Sequence, residues 1–260
     1  MWKTSQKRCL NHKEGRLIEF INKPYLPEKE VTLSVIDKNF NNNQDLINAV
    51  RTTELKNVLN GINTHPDMCV CPLGGNLLVL EPTVYNYYYD LLKNYGFNLI
   101  KGESILSKEY PYDIAYNCVI INGILFHKLS HTDKKIIEYA DKFNIKKVNV
   151  KQGYTKCSIA IVTENALITD DIGIYNSIGN LLDVLLIEKG QIELKGYNYG
   201  FIGGASGKIN YDALAFYGNL KAFNYNDKII SFCKNHGVYC YSLSNQPLYD
   251  YGSLLPIIET

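Results

Sequence analysis

The 260-residue chain lacks any run of apolar residues near the ~20 that cross a bilayer, so no membrane span is expected. It also lacks an excess of charge. Lys and Arg total 27 against 26 Asp and Glu, for a net +1, so no field of one sign points to nucleic acid or a membrane surface. The aromatic run YNYYYD (85–90) lacks the interleaved Lys and Arg of a base-stacking platform and reads as a helix packed on a sheet. No CxxC pair occurs. The cysteines number seven, an odd count in a chain long enough to bury a core unaided, so a disulfide framework is not expected. Cys69 and Cys71 stand two apart without the spaced partners of a zinc site. His127 and His131 have no intervening Glu at metalloprotease spacing. The first residues, MWKTSQKRCLNHKEGRL, have no apolar stretch, which argues against a signal peptide. These absences lead to the expectation of a cytoplasmic protein with no metal and no cofactor, and with neither nucleic acid nor membrane as partner. A homo-oligomer remains open.

What the chain does have is a repeat. DMCVCPLGGNLLVL, DIAYNCVIINGILF and KCSIAIVTENALIT begin at residues 67, 113 and 156. Each has a polar start, a strand-like run, a turn with Gly or Asn, and a second apolar strand. A helix-like segment follows each: VYNYYYDLLKNYG, TDKKIIEYADKFN and IGIYNSIGNLL. A short strand closes each unit: FNLIKG, IKKVNV and DVLLIEKG. A fourth unit begins near Gly200 with GFIGGASGKI and continues through ALAFYGNL, DKIISFCKNHG and VYCYSL. The stretch DYGSLLPIIE (250–259) reads as a first strand with nothing after it. Its remainder is available at the other end of the chain, with EVTLSVID (30–37) as a strand and QDLINAVRTTELKNVLNGI (44–62) as a helix. The expected fold is one α/β domain, a five-bladed β/α-propeller of ββαβ units closed into a ring by its N- and C-terminal segments. Residues 1–30 would be a polar extension. A doubly wound sheet would place one strand, not a hairpin, before each helix.

A ring of five ββαβ units resembles the pentein fold of guanidino-group-modifying enzymes. HPDMCVCPLGGNLLVLEP (65–82) is similar to the histidine blade of dimethylarginine dimethylaminohydrolases, and YDIAYNCVIINGILF (112–126) to their next blade. GYTKCSIAIV (153–162) then falls where those enzymes carry a catalytic cysteine. Two blade-like stretches follow it here, so the order resembles a circular permutation, which neighbouring termini permit. From about residue 31 the chain also resembles a bacterial family of this fold, through HPD, YPYDIAYN, GYTKCS, GFIGGASG and GSLLPI.

The resemblance implies a Cys-dependent hydrolase or transferase acting on a C–N bond of a small guanidino or amidino compound. Cys157 would be the nucleophile and His65 the general acid/base. Asp250 would stand in the place of a glutamate that holds the cation. A guanidinium carbon is a poor electrophile, which suits a thiolate, and its planar cation suits carboxylates. Asp67, Asp113 and Asn117 lie at the starts of their blades and are candidate substrate contacts. Lys156 and Ser158 flank the cysteine. Gly203, Gly204 and Ser206 lie in GGASGK, which fails the Walker spacing but offers backbone N–H groups for an anion. GFIGGASGK holds no Asp or Glu where those enzymes carry a carboxylate pair. The alternative is therefore a non-catalytic protein of this fold that binds a ligand or a partner.

Overall fold

The computed structural model describes residues 9–10, 17–41 and 47–260. These described residues form a mixed α/β architecture of five small separate sheets. Four of them follow one plan: an antiparallel hairpin, a helix, then a third strand parallel to the second. In the first unit the strands are Val70–Gly74, Leu77–Leu80 and Asn98–Lys101. In the second they are Val119–Ile121, Ile124–His127 and Lys146–Asn149. The third has Ile159–Thr163, Ala166–Thr169 and Asp183–Leu186. The fourth has Ser206–Asn210, Ala213–Phe216 and Tyr239–Ser242.

The second strand of each unit is central in its sheet and almost wholly buried, which explains its near-continuous apolar sequence. Turn chemistry sets the hairpin register. Asn122 and Gly123 take positive φ (49° and 70°) and join Ile121 directly to its partner Ile124. This is the two-residue turn that an Asn-Gly pair favours.

The helices are Tyr85–Leu92, Lys134–Lys142, Ile172–Ile178 and Asn226–Asn235. Each buries one i, i+4 pair: Tyr88 with Leu92, Ile136 with Ala140, Ile174 with Ile178, and Ile229 with Cys233. That spacing places both side chains on the face toward the sheet. Asp133 and Asp171 cap two of these helices by accepting from the N–H groups of Lys135 and Ile174. Among the described residues no helix is long and apolar enough to cross a membrane.

The fifth sheet is assembled from both ends of the chain. Leu255–Glu259 lies between Leu17–Phe20 and Val31–Ile36, antiparallel to both, and Ala49–Arg51 adds parallel to Val31–Ile36. Two expectations are corrected here. The helix foreseen over 44–62 does not form among the described residues. Ala49–Arg51 is a strand instead, and its guanidinium donates to the carbonyls of Lys38 and Phe40. Leu55, Val58 and Ile62 are buried at helix-like spacing, but successive turns carry them and Gly61 sits at φ +100°, which no helix accepts. The polar extension expected through residue 30 is also partly built in, because Leu17–Phe20 is a strand and Ile21, Tyr25 and Leu26 are buried. The cysteines Cys69, Cys71, Cys118, Cys157, Cys233 and Cys240 are free. Sγ of Cys71 lies 3.3 Å from that of Cys118 in the core.

Candidate active site

The segments that lead into the five first strands meet. His65 precedes Pro66 and is extended (φ −64°, ψ 128°), as a residue before proline should be. Pro66–Cys69 is then a single helical turn rather than the strand start read from the sequence, with Pro at its first position. That turn places His65 and Asp67 differently. His65 lines a cavity of about 230 Å³ together with Cys157 and Asp250. Asp67 lies behind the thiol, with Cys157 Sγ 3.0 Å from its Oδ2.

One nitrogen of His65, Cys157 Sγ and a carboxylate oxygen of Asp250 all lie within 4.8 Å of one another. His65 Nδ1 is 3.7 Å from Asp250 Oδ1 and has no hydrogen-bond partner. Asp250 is held by two backbone donors, Phe201 N–H on Oδ2 at 2.8 Å and Gly252 N–H on Oδ1 at 2.9 Å. The same three side chains offer the donor types and spacing of a zinc site.

Behind the thiol runs a buried polar chain. Lys156 Nζ donates to Ser253 Oγ at 2.9 Å, and Ser253 Oγ is 2.6 Å from Asp67 Oδ2. Asn117 ties the chain together. Its Oδ1 accepts from the N–H groups of Lys156 (2.8 Å) and Cys157 (3.1 Å), and its Nδ2 donates to Cys157 Sγ at 3.2 Å. Burial pushes the Cys157 thiol well above its ordinary value. Asp67 and Asp250 add to this and the Asn117 amide opposes it. Burial also pushes the Asp67 carboxyl up to about 6, against the pull of His65 and Lys156. The buried Lys156 ammonium is lowered by desolvation, with Asp67 opposing. The free site therefore holds a protonated thiol against a carboxylate that is a better base than an exposed Asp.

The remaining sequence candidates are near the cysteine without facing the cavity. Asp113 is buried and its Oδ2 accepts from the Tyr154 hydroxyl. Ser158 is buried with its Oγ unpartnered. Lys156 points to Ser253 and is not among the residues that line the cavity. In GGASGK, the N–H groups of Gly204 and Ser206 expected to face an anion are engaged by backbone carbonyls. Gly204 N–H donates to the Cys157 carbonyl at 2.8 Å, Ser206 N–H to the Gly203 carbonyl, and Ser206 Oγ to the Ile202 carbonyl. Its glycines serve close approach. A Cβ at Gly204 would sit 1.9 Å from Asp250 Oδ1, and one at Gly203 would sit 2.3 Å from the carbonyls of Lys156 and Ile159.

Sequence reasoning missed two parts of the site and one buried acid that feels the charge of Asp250. Ser253 (φ +74°) is the hub of the polar chain, and its signal was only its place in DYGSLL. Asp170 is a buried carboxyl pushed up to about 7 by burial, with Asp250 adding to the rise. The segment 194–201, rich in aromatics, supplies the cavity's outer wall with Leu194, Tyr197, Asn198, Tyr199 and Phe201.

Solved structures share this architecture. An inosamine-phosphate amidinotransferase of Streptomyces griseus matches with a TM-score of 0.57 at 8% identity, over 93% of this chain and 97% of that one. An agmatine deiminase of C. jejuni matches with a TM-score of 0.53 at 11% identity, over 91% and 93%. A dimethylarginine dimethylaminohydrolase matches with a TM-score of 0.53 at 7% identity, over 82% and 92%. All three are pentein-fold proteins, and at these identities the likeness is one of fold. No curated protein matches the sequence. A family model does match across residues 33–255, and the chain therefore belongs to the Family of unknown function (DUF6873).

Proposed function

We propose that this chain is a Cys-dependent enzyme acting on a C–N bond of a small guanidino or amidino compound. One observation carries the reading: Cys157 Sγ, a His65 nitrogen and an Asp250 oxygen within 4.8 Å of one another on one cavity wall. The amidinotransferase, deiminase and dimethylaminohydrolase of this fold named above support the general kind of chemistry. The finer architecture proposed with it is a closed ring of five units, for which the sheet built from both chain ends is the support.

Asp250 would pair with the substrate cation. The Cys157 proton would pass to Asp67, its hydrogen-bond partner, as sulfur forms a bond to the central carbon. His65 would then protonate the leaving amine as the C–N bond breaks, which leaves a cationic S-amidino intermediate. Water or an acceptor amine would add to that carbon and give its proton to His65, and the C–S bond would break to return the thiolate. Asp67 would then return the proton. Water gives a ureido product; an amine gives amidino transfer.

The test is a panel of guanidino compounds assayed for ammonia, amine, urea and ureido products, with Cys157→Ala as the control. Turnover by the wild type and none by Cys157→Ala is expected. Equal turnover by both sinks the nucleophile. The second reading, a ligand-binding protein without turnover, draws on the absence of any Asp or Glu in GFIGGASGK and on the strongly raised thiol. It prevails if the panel binds but releases nothing.

A further inference from the structure

We infer that the ligand of this cavity is a cation whose body is apolar or aromatic and carries no carboxylate. The cationic end rests on the guanidino reading above. The rest comes from the walls. Among the described residues, Asp250 is the only acid that lines the cavity, His65 is the only imidazole, and no Lys or Arg lines it. Lys156, next to Cys157 in the chain, is 3% exposed and turned toward Ser253. Lys195 lies on the outer-wall segment but is not one of the lining residues.

The lining away from the reacting groups is aromatic and aliphatic, relieved by the neutral amide of Asn198. Ring centroids of Tyr154 and Phe201 are 6.2 Å apart, and those of Phe201 and Tyr199 are 5.8 Å apart. Such a wall suits a flat or apolar body and adds attraction for a cation at a ring face. A carboxylate against this wall, away from His65, would lose water with no Lys or Arg among the described lining residues to meet it and would be repelled by Asp250, so it would be disfavoured twice. The volume, about 230 Å³, is roughly that of eight liquid waters and lies below the usual range for drug-sized ligands. It suits a guanidinium with a short chain or a single ring.

The wall is fixed to the reacting groups. Glu193 accepts from Asp250 N–H at 2.9 Å and donates its own N–H to the Leu248 carbonyl at 2.9 Å. Lys195 N–H donates to Tyr249 Oη at 3.1 Å, and Phe201 N–H holds Asp250 itself. Gly61 lets the segment close down, since a Cβ there would meet the Lys195 carbonyl at 2.5 Å. The loop that selects the body therefore also aims the carboxylate that pairs with the cationic end.

Calorimetric titration of the wild-type protein with matched pairs tests this. The pairs are benzylguanidine against 4-(guanidinomethyl)benzoate and butylguanidine against 4-guanidinobutyrate. The uncharged-body member should bind at least about tenfold tighter in each pair. Phe201→Ala should weaken benzylguanidine about tenfold while changing methylguanidine less than about twofold. Asn198→Lys should narrow or reverse the preference by supplying the cation the wall lacks. Equal or tighter binding of the carboxylated members by the wild type overturns the inference, and so does failure of every member to bind. Turnover of carboxylated members refutes the inference and leaves the enzyme reading standing. Tight binding of benzylguanidine without turnover does the reverse.

Discussion

Replacing Asp67 by Asn should bring the Cys157 thiol down toward the ordinary cysteine range. The sulfur lies 3.0 Å from Asp67 Oδ2, and Asp67 is the leading electrostatic cause of the raised thiol after burial itself. Two unit charges at that separation interact by ~5 kcal/mol at an effective dielectric of ~20, equivalent to about four decades of thiolate population. The full amount is not available. Asp67, with its carboxyl pushed up to about 6, can take up a proton when the thiolate forms beside it, at a cost of only about two decades at pH 8, and burial and Asp250 remain after the substitution. A change of about two decades is the working expectation. The assay is the rate of carbamidomethylation at Cys157, followed by peptide mapping between pH 6 and 10.5. The mapping separates Cys157 from the other thiols, and a thermal melt confirms that the variant is folded. The variant should react about 100-fold faster at pH 8, because the thiolate is the reactive species. A folded Asp67→Asn protein with an unchanged profile would refute the claim that this carboxylate keeps the thiol protonated.

Gly204→Ala should damage the site without touching a reacting atom. Its Cβ would fall 1.9 Å from Asp250 Oδ1, so the carboxylate must move, and binding of guanidino cations should drop by at least about tenfold at a stability cost of about 1–3 kcal/mol. Asn117→Ala should lower stability by about 2–5 kcal/mol in denaturant melts, since two buried N–H groups lose their acceptor. Asn117→Asp, which keeps the acceptor, should fold better than Asn117→Ala. Ile136→Ala, at a fully buried position under its helix, should cost about 2–4 kcal/mol in the same melts. Stability should rise as pH falls from 8 toward 6.5. Asp67 and Asp170 sit near 6 and 7 in the folded chain and near 3.8 when unfolded, so the folded state takes up protons first. Below about 6.5 the buried His127, lowered to about 4 by burial, works in the opposite direction and should flatten the gain. Asp170→Asn should flatten the melting-temperature rise between pH 8 and 6.5; an unchanged slope would count against its raised carboxyl.

The sequence by itself determined most of the architecture. Local rules sufficed for the hairpins, the helices with their buried i, i+4 pairs, and the recurrence of units. Periodicity and turn residues such as Asn122 and Gly123 act over a few positions and can be read there. The repeat also showed that the last strand needed partners from the other end of the chain, and Leu255–Glu259 does pair with Val31–Ile36. Reading failed where a long-range contact outvoted local pattern. Leu55, Val58 and Ile62 carry helical spacing, yet Arg51 and Gly61 bind the stretch into a strand and turns. The candidate site divides in the same way. Equivalent blade starts drew attention to His65, Cys157 and Asp250, but which groups face the cavity depends on segments far apart in the chain. Asp67 is two residues from His65 and yet sits behind the thiol, because a helical turn intervenes and Ser253, from the other end, bonds to it. The glycines of GGASG looked like an anion cradle. Tertiary packing engages the Gly204 N–H with the Cys157 carbonyl and uses the missing Cβ of Gly204 to bring Asp250 up to Cys157 and His65, and no local reading shows what will press against a glycine.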